Sequence, residues 1–313
     1  MLPFILRRLA SGVVLIVVIS FIAFLLLYMG GGDIARRILG ENATAETVAK
    51  KTAELGLNRP LLVQYADWVT SAVTGNLGRS WFTGELVSVS VSGRLAVTLS
   101  LVVGATIVSA ILAVVLGVLA ARRGGAVDGA VQFLSLVGFA IPGFLIALFL
   151  VLVFAINLGW FKATGYVPIT SSLGGWVASV ILPIVALSIG AIATVAAQVR
   201  GSVIDAMSRD YVRTLRSRGL GLGSVIYKHV LRNAGGPALA VLAVQFVGLL
   251  GGAVVVEQIF AIPGMGQLSV RSTTLGDVPV VMGLVIAFAI IVVIVNLLID
   301  LAQAALNPKV RLS

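Results

Sequence analysis

A chain of 313 residues that is 59% hydrophobic and 11% charged carries too little charge for a water-soluble domain, where about 25% is usual. Its formal net charge is +10, but the basic residues flank long apolar runs, which reads as membrane topology rather than a nucleic-acid surface. The absence of cysteine excludes disulfides and thiolate metal sites.

The first apolar stretch, residues 9–29, follows Arg7 and Arg8. Its length is about that of a bilayer span and exceeds the roughly 7–15 residues of a signal-peptide core. With no small-x-small cleavage site after it, it is expected to be an uncleaved first span. The segment from about 30 to 95 is amphipathic and nearly charge-balanced. ATAETVAKKTAELG reads as a helix capped by Thr44 or Thr47 and stopped at Gly56. LLVQYADWVTSAV reads as a second helix, with Leu61, Leu62, Tyr65, Trp68 and Val69 at helical spacing. Two roles stay open for the pair: a lid packed on the membrane surface, and a surface for an external partner.

Five further spans are expected over 96–120, 129–157, 178–199, 235–256 and 280–304. Pro142 and Pro183 interrupt two of them. Breakers are tolerated where neighbouring helices or water satisfy the freed backbone, and either can be a structural kink or a gating hinge. With the N-terminus inside, the short inner segments hold Arg7, Arg8, Arg122, Arg123, Arg200, Arg209, Arg213, Arg216, Arg218, Lys228, Arg232, Lys309 and Arg311. The short outer loops hold only Lys162 and Arg271. The positive-inside rule therefore puts both termini in the cytoplasm.

The inner connection from Arg200 to Arg232 reads RGSVIDAMSRDYVRTLRSRGLGLGSVIYKHVLR. Val203, Ile204, Met207, Tyr211 and Leu215 share one helical face, and Arg209, Arg213 and Arg216 lie on another. Asp210 is placed to cap a short helix over Tyr211–Arg218, and Gly219 to end it in the left-handed region. Ser224 then starts the return helix. Such an element fits helix-in-groove recognition by a partner, and equally an interfacial helix on anionic lipid. The single histidine, His229, reads as a packing or hydrogen-bonding residue, since a zinc site needs further ligands.

The segment GGAVVVEQIFAIPGMG, residues 251–266, ends the fifth span. It reads either as an external turn or as a re-entrant element at the outer mouth, with Glu257, Pro263 and Gly264 near the path. Among the uncharged polar residues within spans (Asn157, Gln198, Gln245 and Asn296), Gln245 is the best placed to line a path. No Asp, Glu, Lys or Arg falls near a span centre, which argues against a proton- or voltage-driven carrier. The chain has no GxxxxGK(S/T) phosphate loop and no catalytic or metal-binding constellation, so any ATP chemistry must come from another subunit.

These residues resemble a known family. DYVRTLRSRGLGLGSVIYKHVLRNA is similar to the cytoplasmic signature loop of ABC-importer permeases, closest to the dipeptide, oligopeptide and nickel branch. Arg213, Thr214 and Leu215 stand at the family's small-residue triplet, with Gly219 as its glycine. Asp210, Tyr211, Leu220, His229, Leu231, Arg232, Asn233 and Ala234 match the peptide branch further. LGLNRPLLVQYADWV, GNLGRS, GGAVVVEQIFAIPGMG, NPKVR and the FILRRL start resemble the B-type subunit. GLGLGS departs from the family in being richer in glycine.

The resemblance implies an all-α membrane protein of the type I importer kind. Residues 1–95 would hold the first span and a long external segment, 96–306 a five-helix core with coupling loop 200–232, and 307–313 a cytoplasmic tail. It implies a permease subunit, not an enzyme, in an importer of di- or oligopeptides at a bacterial inner membrane. Nickel chelates or another small solute are the alternative within the family, and an ion-coupled carrier is the alternative outside it. Implied partners are a homologous C-type permease, two ATPase subunits that bind ATP and Mg, an external substrate-binding protein and membrane lipid, with no nucleic acid. The coupling residues would be Asp210, Tyr211, Arg213, Thr214, Leu215, Arg216, Arg218, Gly219, His229 and Arg232.

Overall fold

The computed structural model describes residues 2–30, 34–40 and 42–306. Lys309, Arg311 and the NPKVR tail lie outside them. In chain order the helices are α1 (Leu2–Gly30), α2 (Ile34–Leu39), α3 (Ala45–Glu54), α4 (Leu61–Val73), α5 (Val87–Arg123), α6 (Gly125–Ala140) and α7 (Gly143–Leu150). There follow α8 (Leu173–Met207), α9 (Asp210–Ser217), α10 (Leu222–Val225), α11 (Leu231–Ile259), α12 (Met265–Leu275) and α13 (Val278–Leu306). Wide π-helical turns at Val151–Asn157 and Ile226–Val230 extend α7 and join α10 to α11. No strand forms among the described residues, only one isolated bridge between Arg79 and Leu86.

Among the described residues, five helical stretches are long and apolar enough to span a bilayer: 4–30, 87–123, 173–207, 222–259 and 278–306. The expected third span is not one straight helix. Gly125–Ala140 and Gly143–Asn157 meet at 92°, and count as a sixth span if taken together. Pro142 is the cause. The residue before a proline is pushed out of the α region, and Ile141 is extended at φ −84° and ψ 121°. Pro183, by contrast, is buried inside the 35-residue α8 without ending it. The other spans overrun their expected limits because the helices continue past the apolar stretch.

The chain forms two compact units. Of the described residues, one comprises 2–4, 97–262 and 294–306. Within it α8 packs against α6, α7 and α11. Small residues let α5 and α8 approach closely. A Cβ on Gly117 would lie 2.8 Å from the Ala196 carbonyl oxygen and 2.8 Å from Val199. Buried serines cross-link the same helices: Ser109 Oγ donates to Ser188 O (3.3 Å) and Ser188 Oγ to Ala105 O (3.4 Å). Arg200 and Asp128 form a two-pronged ion pair, Nε to Oδ1 and Nη2 to Oδ2, tying α8 to the first turn of α6.

The other unit comprises the described residues of 5–96 and 263–293. Both expected amphipathic helices form. Thr44 caps α3 by accepting from Thr47 N, and Gly56 follows its end at φ +69°. Tyr65 of α4 rests on α1: its ring stands edge-on to Phe21 and Phe24, and its hydroxyl donates to Val17 O (3.2 Å). The GNLGRS stretch is pinned by Ser80, whose hydroxyl donates to Asp277 Oδ2 (2.5 Å) and accepts from Phe82 N and Thr83 N. Asp277 also takes Trp81 N at 3.2 Å and starts α13, its carbonyl accepting Val281 N.

Candidate functional site: a basic helix between two spans and an adjoining cavity

The most distinctive local structure is the connection between α8 and α11. α8 stops at Met207 because Arg209 leaves the helical region, at φ −73° and ψ 148°. Arg209 is the N-cap of α9, and Asp210 is the first helical residue, not the cap expected from its side chain. There its charge still favours the helix, since an acid in the first turn complements the dipole. The other end is as expected. Gly219 lies at φ +84°, its N–H bonds to Arg216 O (2.9 Å), and Leu220 N bonds to Leu215 O (3.3 Å). This is a Schellman closure, which needs a left-handed residue and therefore favours glycine. The return helix begins at Leu222, two residues earlier than Ser224.

The break at Ser208–Arg209 resets the helical phase. Val212, not singled out by periodicity, is the buried residue of α9 and joins a core with Val203, Val225, Ile226 and Val230. Met207, Tyr211 and Leu215 pack half-buried on that same core, whereas Ile204 is exposed. Tyr211 and Leu215 thus anchor α9 to its own bundle. The Tyr211 hydroxyl also accepts from Asn233 Nδ2 at 3.1 Å. What α9 presents outward is Arg213, Thr214, Arg216, Ser217 and Arg218, all exposed. Arg213 touches Asp210 only weakly, at 3.9 Å, with its side chain 83% exposed. Of the remaining signature residues, Thr214 donates to Asp210 O (3.2 Å), His229 sits in the π-helical turn, and Arg232 Nε donates to Leu306 O (3.4 Å).

A cavity of about 460 Å³ opens in the same unit between the α6–α7 bend, α8 and α11. Phe139, Pro142, Leu187, Thr194, Gln245 and Val256 are among the residues that line it. Gln245 and Thr194 are the polar side chains among these lining residues. Glu257 is not in that lining. It is fully buried, and Thr98 Oγ1 donates to its Oε1 at 2.6 Å. Beyond it, the chain turns through a second Schellman closure: Ala261 N bonds to Gln258 O (3.3 Å), and Ile262 N to Glu257 O (2.9 Å). Here the left-handed residue is Ala261, at φ +46°. Pro263 and Gly264 fall in the other compact unit, where Gly264 caps α12.

Residues 1–102 match the model of the N-terminal part of binding-protein-dependent transport system membrane components, and residues 113–312 match the binding-protein-dependent transport system inner membrane component. The chain belongs to this family. The permease is 39% identical over 309 residues to a probable peptide ABC transporter permease, y4tP, of Sinorhizobium fredii, covering 98% of this chain and 99% of the relative. It is 33% identical over 312 residues to the glutathione transport system permease GsiC of Salmonella choleraesuis, covering 99% of each. Among solved structures, the MetNI methionine ABC transporter in an inward-facing conformation matches with a TM-score of 0.53 at 18% identity. That match covers 69% of this permease and 97% of the solved chain, and it supports the type I importer fold. The permease is a transport subunit, not an enzyme.

Proposed function

We propose that this permease carries peptides inward across a bacterial cytoplasmic membrane, with both termini and α9 on the cytoplasmic side. The positive-inside distribution supports the orientation, and the names of the full-length relatives support the solute class. In this reading α9 is the coupling helix for a separate ATPase that binds ATP and Mg. One observation carries it: α9 is closed at Gly219, fixed to its own bundle by Val212, Tyr211 and Leu215, and leaves Arg213, Arg216 and Arg218 outward. An element that receives a push must be rigidly tied to what it moves. Here the tie runs through the shared core into α8 and α11, the walls of the cavity that holds Gln245. His229 and Arg232 lie where that tie enters α11. A second, homologous permease would complete the path, and an external binding protein would deliver peptide near the Pro263–Gly264 turn.

The test is charge reversal, Arg213→Glu with Arg216→Glu, in the assembled transporter. Losing one member of a desolvated charge pair costs about 2–5 kcal/mol. Uptake should fall while the protein still inserts and residual ATP hydrolysis no longer responds to peptide. Peptide-stimulated hydrolysis equal to that of the parent would overturn the coupling role.

A further inference from the structure

The 92° bend between α6 and α7 leaves backbone groups open inside the membrane. Ile141 and Pro142 lie outside both helices. Ile141 N still closes on Val137 O (3.2 Å), and the next turn begins with Leu145 N and Ile146 N on Pro142 O (2.9 and 3.4 Å). The carbonyls of residues 138–140 therefore lose their helical donors: Pro142 has no N–H, and Gly143 and Phe144 stand beyond the bend. The amides of Gly143 and Phe144, which open α7, equally have no carbonyl one turn back.

This break sits near mid-depth. Gly138 packs on Gly190 of α8, where a Cβ would lie 3.9 Å from the Gly138 oxygen. Gly190 stands ten residues before Arg200 and seventeen after Leu173, about 15 Å and 25 Å along the helix. Hydrocarbon gives open N–H and C=O groups no partner. Irregular backbone at such a depth persists only where protein or a water-filled cavity receives it. Here Gly138, Phe139, Ile141, Gly143 and Phe144 all line the cavity of about 460 Å³.

The rest of the wall fits the same chemistry. None of the side chains lining the cavity is charged. The Thr194 hydroxyl already donates to Gly190 O (3.0 Å). Gln245, which α11 contributes, has no hydrogen-bond partner among the described residues. Such a wall offers uncharged acceptors and donors and no counter-charge for a solute's ends. The groups it matches are amides, which every peptide repeats whatever its side chains. In other transporters, helices broken at this depth present backbone groups to the solute.

We propose that the α6–α7 break is a water-filled station of the path, where a passing peptide's amide groups exchange water for the open backbone carbonyls and the Gln245 carboxamide. This deepens the peptide reading and rests on it. Because the contacts are to the repeating backbone, the station accepts peptides of different side chains and disfavours solutes of similar size that lack amide N–H groups.

The test uses the complete transporter with its binding protein. The chain has no cysteine, so a single introduced thiol reports on water at a chosen position. Ile141→Cys should react with a charged methanethiosulfonate, supplied on both faces of the membrane, many times faster than Val14→Cys on the exposed flank of α1. Trialanine methylated at both amide nitrogens should enter about fivefold more slowly than trialanine at equal, limiting concentrations of loaded binding protein, a factor worth roughly one hydrogen bond. Gln245→Leu should slow trialanine uptake by a similar factor with an unchanged thermal midpoint, because the group it removes has no partner within the chain. Labelling of Ile141→Cys no faster than that of Val14→Cys overturns the proposal, and so does uptake that ignores methylation. A Gln245→Leu transporter that works at the parent rate, or one that loses its thermal midpoint along with uptake, overturns it too. If the parent imports no trialanine while Ile141→Cys still reacts, the peptide reading falls and the water-filled break stands.

Discussion

Thr98 and Glu257, 159 residues apart in sequence, are joined by a 2.6 Å hydrogen bond in which both residues are out of solvent, at 1% and 0% exposure. The bond ties α5 to the last turn of α11. A buried acceptor that loses a donor is left with an unrecovered desolvation cost of about 1–3 kcal/mol. Thr98→Val should therefore lower the thermal midpoint of the purified protein in detergent, and Glu257→Ala should lower it further. Glu257→Gln keeps an oxygen for Thr98 to reach. It should keep most of the stability and, because the side chain does not line the Gln245 cavity, most of the transport rate. A stable Glu257→Gln protein with uptake abolished would return Glu257 to the path.

Arg200 and Asp128 make a two-pronged ion pair, with side chains 26% and 17% exposed. Geometry of this kind fixes orientation as well as adding energy. Asp128→Asn or Arg200→Gln should each cost about 1–3 kcal/mol, as hydrogen bonds to charged groups do. The double variant should cost less than the sum of the two, and a double-mutant cycle on thermal midpoints measures the difference. Strict additivity would show that the pair contributes nothing.

How far the sequence could be read follows from these contacts. Helix ends set by local chemistry were legible: Thr44 at the start of α3, and Gly56 and Gly219 just past helix ends, because capping and left-handed backbone depend on neighbours in sequence. Pro142 was legible as a breaker, but the 92° bend depends on what α6 and α7 pack against, and a local rule carries no angle. Val212 was missed because one extended residue, Arg209, shifted the helical phase that periodicity assumes to be continuous. Asp128 was missed as the partner of Arg200 because 72 residues separate them. The resemblance flagged GNLGRS, yet only the fold shows why its serine matters: Ser80 meets Asp277 across 197 residues.

At Gly117 of α5 the nearest atoms of α8 include backbone, the Ala196 carbonyl oxygen. A methyl group there would press on the Ala196 carbonyl, which belongs to helix backbone and cannot swing away. Overpacking of this kind costs about 1–3 kcal/mol. Gly117→Ala should reduce the yield of folded protein and its thermal midpoint, while Gly129→Ala, with open space around it, should be neutral. Equal behaviour of the two variants would mean that α5 and α8 can separate without penalty.

Ala261 offers the opposite sign. It holds the left-handed position of the closure that ends α11, at φ +46°, where a Cβ crowds the backbone at a cost of roughly 1–2 kcal/mol. Glycine removes that crowding and also loosens the unfolded chain, so the net gain from Ala261→Gly should be smaller, about 0.5–1 kcal/mol. The hydrogen bonds from Ala261 N to Gln258 O and from Ile262 N to Glu257 O involve backbone alone and survive the change. A bulky residue at this position reverses the argument: Ala261→Val adds β-branching to a backbone region that rejects it and should destabilise the turn. Thermal midpoints in the order Gly, Ala, Val would confirm that the α11 terminus is strained as seen, and a midpoint for Ala261→Gly below that of the parent would show that the alanine methyl makes a contact worth more than the strain.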